Sequence, residues 1–409
     1  MRLSKTAAFY LQASLIVSFL AGSSAPTAVY ALYQRAWGFS PITVTIVFGT
    51  YALAVLATLL VAGSLSDYLG RRPVLLAAAL AQTASMAVFT AAGGVGALVA
   101  ARVLQGIGTG MAAGAVGAGM LDIDRERGAM ANAVAPMVGV ATGSILSGLF
   151  VAYAPAPTKA IYVALGLLFI AQAAGVALMP ESVTPRPGAF GSLVPQIRVP
   201  PRMRGAILLA VPALVATWAL PGFYGSLGPT LVKKLLGGTS PLLAGLALFV
   251  LATSAGLVVL AVQARSPRQV LRGGTSALVA GVALVLVAIA YGSVTLFFTG
   301  TAVAGGGFGA AFQGALRSVL SLAAAHERAG VLSVLYVVAY LSMGLPAVLG
   351  GAHLAHGGDV LATAHEYGVV VIGLATTALF GTLLRGRATE AIRLEACGLG
   401  ADRVAARTR

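Results

Sequence analysis

Apolar runs of roughly 20 residues, cut by short stretches holding charged, glycine and proline residues, recur along almost the whole chain. A helix needs about that length to cross the hydrocarbon core of a bilayer. No water is there to take up backbone hydrogen bonds, so each crossing must satisfy its own. The breaks delimit twelve spans, near 7–32, 42–62, 74–93, 96–120, 129–152, 159–180, 206–231, 241–263, 275–291, 294–320, 330–351 and 360–384. The expected fold is therefore an all-α membrane protein of twelve transmembrane helices. Composition excludes a water-soluble fold: 58% of the residues are hydrophobic and 9% charged, where soluble domains carry charge at about a quarter of positions.

The formal net charge is +15. On a soluble surface that excess would point to nucleic acid, but no soluble domain is present to carry the patch, and nucleic acid is not an expected partner. The charge instead reports topology, because Lys and Arg flanking a span are retained in the cytoplasm. With the N-terminus inside, the cytoplasmic segments hold Arg2, Lys5, Arg71, Arg72, Arg125, Arg127, Arg186, Arg198, Arg202, Arg204, Arg265, Arg268, Arg272, Arg328 and the Arg-rich tail from Arg385. The outer segments hold Arg35, Lys159, Lys233 and Lys234, a bias of roughly five to one. An even number of spans puts both termini in the cytoplasm, and the expected location is the cell inner (plasma) membrane. Arg2 and Lys5 before an apolar stretch imitate a signal peptide, with Ser23-Ser24-Ala25 as a small-residue cleavage site. The stretch from Ala7 to Leu32 is longer than a signal's apolar region and reads as the first helix. The single Cys397 rules out an intramolecular disulfide framework.

The longest polar interruption, Glu181 to Gly205, is rich in Pro and Arg and separates six spans from six. The expected organisation is a six-helix bundle over 1–180, a cytoplasmic linker over 181–205, a second six-helix bundle over 206–384 and a basic cytoplasmic tail over 385–409. One register relates the halves: Arg71 and Arg272, Gly106 and Gly307, Gly108 and Gly309, Glu126 and Glu327, Arg127 and Arg328, and Gly143 and Gly344 are each 201 residues apart. A duplicated six-helix unit is the parallel repeat of transporters whose halves rock about a midplane site.

The loop after the second span reads Gly63-Ser64-Leu65-Ser66-Asp67-Tyr68-Leu69-Gly70-Arg71-Arg72-Pro73. Its glycines permit a tight turn between packed helix ends, Asp67 suits a helix N-terminus or an arginine, and Arg71 and Arg72 suit an anionic leaflet. The run resembles the signature Gly-x-Leu-x-Asp-Arg-x-Gly-Arg-Arg of the major facilitator superfamily, in the loop between helices two and three. The resemblance implies two pseudo-symmetric six-helix bundles and a conformational latch built from Gly63, Asp67, Gly70, Arg71 and Arg72. In this latch Asp67 would engage the helix that starts near Gly330, and Arg71 or Arg72 would engage Asp122 or Asp124 at the end of helix four. Tyr68 stands where the signature has Arg, so one charge is missing. The counterpart loop, Arg265 to Arg272, keeps the basic residues but has lost the Asp and the Gly pattern.

In the fourth span, Arg102-Val103-Leu104-Gln105-Gly106-Ile107-Gly108 places a cation inside the membrane. A cation there costs about 2.5–3.5 kcal/mol on insertion scales and normally faces a cavity or a partner. Snorkelling is the competing reading, because Arg102 lies about two turns from the outer end. The run is similar to the Arg-x-x-Gln-Gly-x-Gly motif of the superfamily's proton-coupled exporters, which implies a coupling role for Arg102. The fifth span, Gly139 through Gly148, is weakly similar to the antiporter motif Gly-x-x-x-Gly-Pro-x-x-Gly-Gly, with Ser144 for Pro and Ser147 for Gly. Its second-half relative, Gly344-Leu345-Pro346 through Gly350-Gly351, keeps a proline and the glycine pair. Close helix packing explains both equally well.

None of the eleven acidic residues falls in the middle of a span. Membrane proton relays usually use a carboxylate or imidazole held in low dielectric, so the usual carrier is absent, a cationic solute is disfavoured, and a neutral or anionic solute suits Arg102. Tyr30, Tyr51, Gln105, Asn132, Trp218, Tyr224, Gln313, Tyr336 and Tyr340 join Arg102 as candidate substrate or coupling residues, packing or interfacial anchoring being the bland role for each. His353, His356 and His365 lie near Asp359 and Glu366 in the last outer loop. Without a fixed ligand spacing that loop reads as a solvated connector, so no metal and no cofactor is expected. The leading reading is a monomeric alternating-access exporter of a small neutral or anionic amphipathic solute, with protons as the coupling ion. An importer or facilitator of a sugar or organic acid is the alternative. A membrane sensor or enzyme is the third reading, unsupported by any catalytic constellation.

Overall fold

The computed structural model describes residues 2–405 except Gln196, Arg198, Gly238, Thr239, Ser240 and Ala325; the side chains of Leu236, Pro241, Ala244 and of residues 385–405 also fall outside the description. The basic tail's side chains, with Cys397, and Arg198 of the linker are thus not described. Twelve long helices run in the expected order: α1 (Lys5–Trp37), α2 (Pro41–Ala62), α3 (Arg71–Thr90), α4 (Val95–Ile123), α5 (Arg125–Tyr153), α6 (Ala160–Ala177), α7 (Pro201–Ser226), α8 (Pro241–Ala261), α9 (Pro267–Tyr291), α10 (Val294–Leu320), α11 (Arg328–Ala355) and α12 (Val360–Leu384). The loops α2–α3, α4–α5, α6–α7, α8–α9 and α10–α11 share one face, called here the basic side; the opposite face is the far side.

Two departures from the expected spans have local causes. Helix α1 breaks at Ala25, where Pro26 begins a second helical segment, Pro26–Trp37. The same break recurs 201 residues on, after Ser226, where the short helix Gly228–Leu236 takes over from α7. Helix α9 begins at Pro267 rather than near 275, because Ser266 caps it, accepting from Gln269 N at 3.4 Å, and Pro267 suits the first turn. Arg268 and Arg272, read as loop residues, therefore stand in the first turns of α9.

The chain forms two six-helix bundles, each with its own core. Side chains between Ala8 and Met179 fill the first, and those between Met203 and Ala378 fill the second. The bundles meet along two seams. Helices α5 and α8 touch along their length: a Cβ at Gly245 would sit 2.2 Å from the Ser144 carbonyl oxygen, one at Gly256 would sit 3.2 Å from Met137 Cβ, and Gln263 Nε2 lies 2.7 Å from Met130 Sδ. Helices α2 and α11 meet toward the far side, where Phe48 and Ala52 pack on Met343 and Ala347 with Trp218 and Tyr340 against them. This conformation is closed on the far side.

Within the second bundle α9 and α10 approach backbone to backbone. A Cβ at Gly274 would stand 2.3 Å from Ala311 N, one at Gly281 2.2 Å from Ala304 N, and one at Gly307 2.3 Å from Leu278 N. Only residues without a side chain permit that approach, which replaces the hydrophobic effect as the adhesive between helices in lipid.

Candidate functional site

The break in α1 frees backbone groups inside the membrane, and polar side chains from neighbouring helices take them up. Ser147 donates to the Ala25 carbonyl and accepts from Ala28 N at 3.3 Å, while Ser24 Oγ donates to the Val140 carbonyl at 3.0 Å. Arg102 supplies the third tie. Its Nη1 donates to the Ser23 carbonyl at 2.9 Å and to Gln105 Oε1 at 2.6 Å; Nε and Nη2 donate to Tyr30 Oη at 2.9 and 2.7 Å. Rings surround the guanidinium, with the centroids of Tyr51, Tyr30 and Phe89 at 5.2, 5.7 and 5.9 Å from Cζ.

Arg102 and Gln105 are 0% exposed, Tyr30 2% and Tyr51 5%. The cation does not snorkel; it is sealed in the first bundle. Every described partner is neutral, so the positive charge is hydrogen-bonded without being cancelled. Gln105 Nε2 is buried with no acceptor. A buried donor left open costs about 1–3 kcal/mol.

Facing the seam from the second bundle is an aromatic shelf. Trp218 packs edge-on against Phe312 at 5.3 Å and against Tyr340 at 5.1 Å, and Tyr336 adjoins Tyr340 at 6.3 Å. Gln313 follows Phe312 on α10. Trp218 Nε1 and Gln313 Oε1, one donor and one acceptor, are both buried and unpartnered. The shelf offers flat apolar faces with one open polar atom of each kind.

Of the ten candidate substrate or coupling residues, four converge around the cation (Arg102, Gln105, Tyr30, Tyr51) and four lie on the shelf or beside it (Trp218, Gln313, Tyr336, Tyr340). The other two lie elsewhere. Asn132 ties α5 to α4, its Nδ2 donating to the Gly117 carbonyl at 3.0 Å. Tyr224 shares a 2.9 Å hydrogen bond with Thr301 inside the second bundle.

On the basic side, Arg71 is buried and binds Asp67, Asp122 Oδ2 at 3.2 Å and Ser66 Oγ at 2.7 Å. The expected link from Asp67 to the start of α11 is not made: its described partner is Arg71, four residues on, and α2 meets α11 on the other side of the membrane. Glu181, read from sequence only as the first linker residue, closes the network. Its carboxylate accepts from Arg71 N at 2.8 Å and Arg72 N at 3.0 Å, capping α3. Gly70, at φ +98°, makes room for it, since a Cβ there would fall 2.5 Å from Glu181 Oε2. At Gly63 the turn is so close to α4 that a Cβ on Gly114 would lie 2.2 Å from the Gly63 carbonyl oxygen. The missing signature arginine at Tyr68 is answered from the linker, where Arg186 lies over the Tyr68 ring at 4.5 Å and its N–H donates to the Tyr68 carbonyl at 2.9 Å. In the far-side loop, Asp359 pairs with Lys234 at 3.3 Å; the Ala362 N–H first, and then Lys234, hold its carboxyl below the ordinary aspartate value.

Sequence reading also missed Phe89 and Tyr162, stacked at 4.6 Å behind Arg102, and Gln82, which donates to Thr109 Oγ1 at 2.8 Å. The signal for Gln82 was there, as a polar residue in an apolar span.

A family model for the Major Facilitator Superfamily matches residues 13–347. Against curated proteins no sequence match is found. Among solved structures, the nucleoside transporter NupG superposes with a TM-score of 0.70 at 11% sequence identity, covering 93% of this chain and 99% of that one. At that identity the likeness speaks for the fold alone.

Proposed function

The chain belongs to the Major Facilitator Superfamily, which makes it a transporter rather than an enzyme, and on that premise we propose that it exports a small neutral or anionic amphipathic solute by alternating access. The observation that carries the reading is Arg102, a fully buried cation held by neutral acceptors beside the open donor of Gln105. An uncompensated cation in low dielectric attracts an anion or a strong acceptor and repels another cation. The shelf of Trp218, Phe312, Tyr336 and Tyr340 takes the solute's flat apolar part, and its two open polar atoms read the edge of that ring. Tyr51 on α2 and Tyr340 on α11 stand on the two helices that meet at the far-side seam, which supports reading the two clusters as one site. Motion of the bundles would open Arg102 to the solute.

Outward transport rests on the exporter-like run around Arg102. None of the described acids lies in the middle of a span, so proton coupling, where it operates, does not run through a carboxylate there. The loop network of Gly63, Asp67, Gly70, Arg71, Arg72 and Asp122 is read as the latch. With the far side closed Asp67 is held by Arg71, and closing the basic side would carry it to the first turn of α11. The charge bias supports a cytoplasmic basic side, both termini included, with the plasma membrane read as the site and a monomer as the working unit. A second reading, import, draws support from the likeness to NupG, a nucleoside transporter.

The test is flux in proteoliposomes, with and without an imposed pH gradient. Labelled naphthoate, methylquinolinium and uridine serve as anionic, cationic and nucleoside probes. Gradient-dependent movement of naphthoate with exclusion of methylquinolinium is the expected result. Transport of the cation overturns the reading, and concentrative uridine uptake replaces export with the second reading.

A further inference from the structure

On the basic side of the second bundle a crevice of about 560 Å³ runs between α8, α9 and α10, from Arg265 and Gln269 at its mouth to Val303 and Gly306 near mid-membrane. The 201-residue register explains why it is hollow. Gly273, Ala277, Gly306 and Ala310 stand where the first bundle has Arg72, Leu76, Gln105 and Thr109. Smaller residues replace larger ones at four places on the same two helices.

The mouth is charged and unbalanced. Arg265 lines it and Arg317 is tied to the Arg265 carbonyl, while Arg268 and Arg272 stand in the first turns of α9 nearby, and none of the four forms an ion pair among the described residues. Arg272 donates from Nη2 to the Thr382 carbonyl at 2.7 Å, and Arg317 from Nη2 to the Arg265 carbonyl at 3.0 Å. Arg272 Nε and Arg317 Nη1 are buried with no acceptor. In the first bundle Arg71, the register partner of Arg272, has two carboxylates for the same work.

We propose that this crevice binds one anionic phospholipid, its phosphate on Arg265 and the adjoining Arg317 and an acyl chain along the apolar floor of Val258, Val262 and Gly306. The occupant follows from the charge: the leaflet on a positive-inside face is anionic, and a bound phosphate supplies the negative charge that no described residue offers to Arg265 and Arg317. A chain with apolar length below a charged head matches a trough with arginines at one end.

The experiment is native mass spectrometry of the full-length protein, released from vesicles of phosphatidylcholine with or without phosphatidylglycerol, paired with thermal melting in the same lipids. Wild type should retain one phosphatidylglycerol and melt higher with it. Arg265→Gln removes the exposed side chain and keeps the carbonyl that Arg317 holds. It should weaken retention about fivefold, the worth of one arginine at a charged surface, while Arg265→Lys restores it. Ala277→Leu, which fills the trough, should abolish retention in a protein that still melts cooperatively in phosphatidylcholine. Equal retention by wild type and both of the weakening variants, or equal retention of phosphatidylcholine and phosphatidylglycerol, overturns the proposal. So does displacement of the lipid by millimolar inorganic phosphate, which would show that only a free anion is bound.

Discussion

Arg71 and Arg272 stand 201 residues apart, at the same point of the two six-helix units, and are held differently. Two carboxylates, a serine and a capped helix start surround the first, all supplied by the chain. One carbonyl holds the second. The contrast extends into the membrane. Arg102, Gln105 and Thr109 of α4 become Val303, Gly306 and Ala310 of α10. The first bundle thus joins its helices both through buried polar side chains and through glycines set on backbone, a Cβ at Gly143 falling 2.1 Å from the Ala21 carbonyl oxygen, while at these positions the second bundle relies on close backbone contact. Both are answers to a solvent that offers no hydrogen bonds and no hydrophobic drive between helices. Duplication preserved the helices and their breaks, and the two copies differ in what they bury: a charge in one, an aromatic shelf in the other.

The sharpest way to break the comparison is to copy residues between halves. Gly281 faces the α10 backbone, and its register partner is Leu80, which is 56% exposed. Gly281→Leu should have the largest effect, because the nearest atoms belong to backbone and cannot turn aside. Overpacking of this kind costs about 1–3 kcal/mol or more, and the expected outcome is loss of the monodisperse peak in size exclusion, whereas Leu80→Gly should leave that peak in place. A folded Gly281→Leu protein would show that the α9–α10 contact is not what holds the second bundle.

Arg102→Val copies the second-half residue into the first. Removing a cation from a span recovers about 2.5–3.5 kcal/mol, and leaving Tyr30, Ser23 and Gln105 short of a donor costs about 1–3 kcal/mol each. The three costs sum to about 3–9 kcal/mol, at or above the gain, so the variant should melt lower than wild type and naphthoate flux per folded protein should fall about tenfold or more. Lysine should not restore it, since a single ammonium cannot reach the three acceptors the planar fork joins. Undiminished flux in the valine variant would reduce Arg102 to a strut for the broken helix.

The smallest expected effect concerns Glu327 and its register partner Glu126. Glu327 accepts from Ala324 N at 2.9 Å and pairs with Arg202, and these, the backbone bond first, lower its pKa from the ordinary 4.5. Its contribution is present above that ordinary value and is lost as pH falls through the lowered one. Glu327→Gln should flatten the acid limb of the melting curve below about pH 4.5, and Glu126→Gln should leave it unchanged. Identical acid limbs in both variants would mean that the tie between the starts of α7 and α11 does not matter to stability.

The fold was readable because span length and charge bias are properties of the chain itself, and a repeat needs only one register. Arg102 was readable because a cation in a span is costly wherever it sits. Its surroundings were not: Tyr30 and Ser23 lie 72 and 79 residues away in sequence, and residue type alone does not say which helices meet. Ser147 looked like a flaw in a glycine motif, yet it holds the break in α1. Glu181 looked like the first residue of a linker, yet it caps α3, because a positive-φ glycine 111 residues earlier, Gly70, leaves the space. The start of α9 was hidden by its arginines, which read as loop until Ser266 and Pro267 are recognised as a helix start.

The sealed guanidinium has one more consequence. A pathway that opens alternately to two solutions must not leak ions as it moves, and dissipation of the membrane potential would cost the cell more than a lost solute. A fixed positive charge with no carboxylate beside it acts as a standing barrier: at an effective dielectric of about 20 it raises the energy of a sodium ion or hydronium about 10 Å away by roughly 2 kcal/mol, the device by which water channels exclude protons. The feature that would draw an anionic cargo also insulates the membrane while the cargo passes.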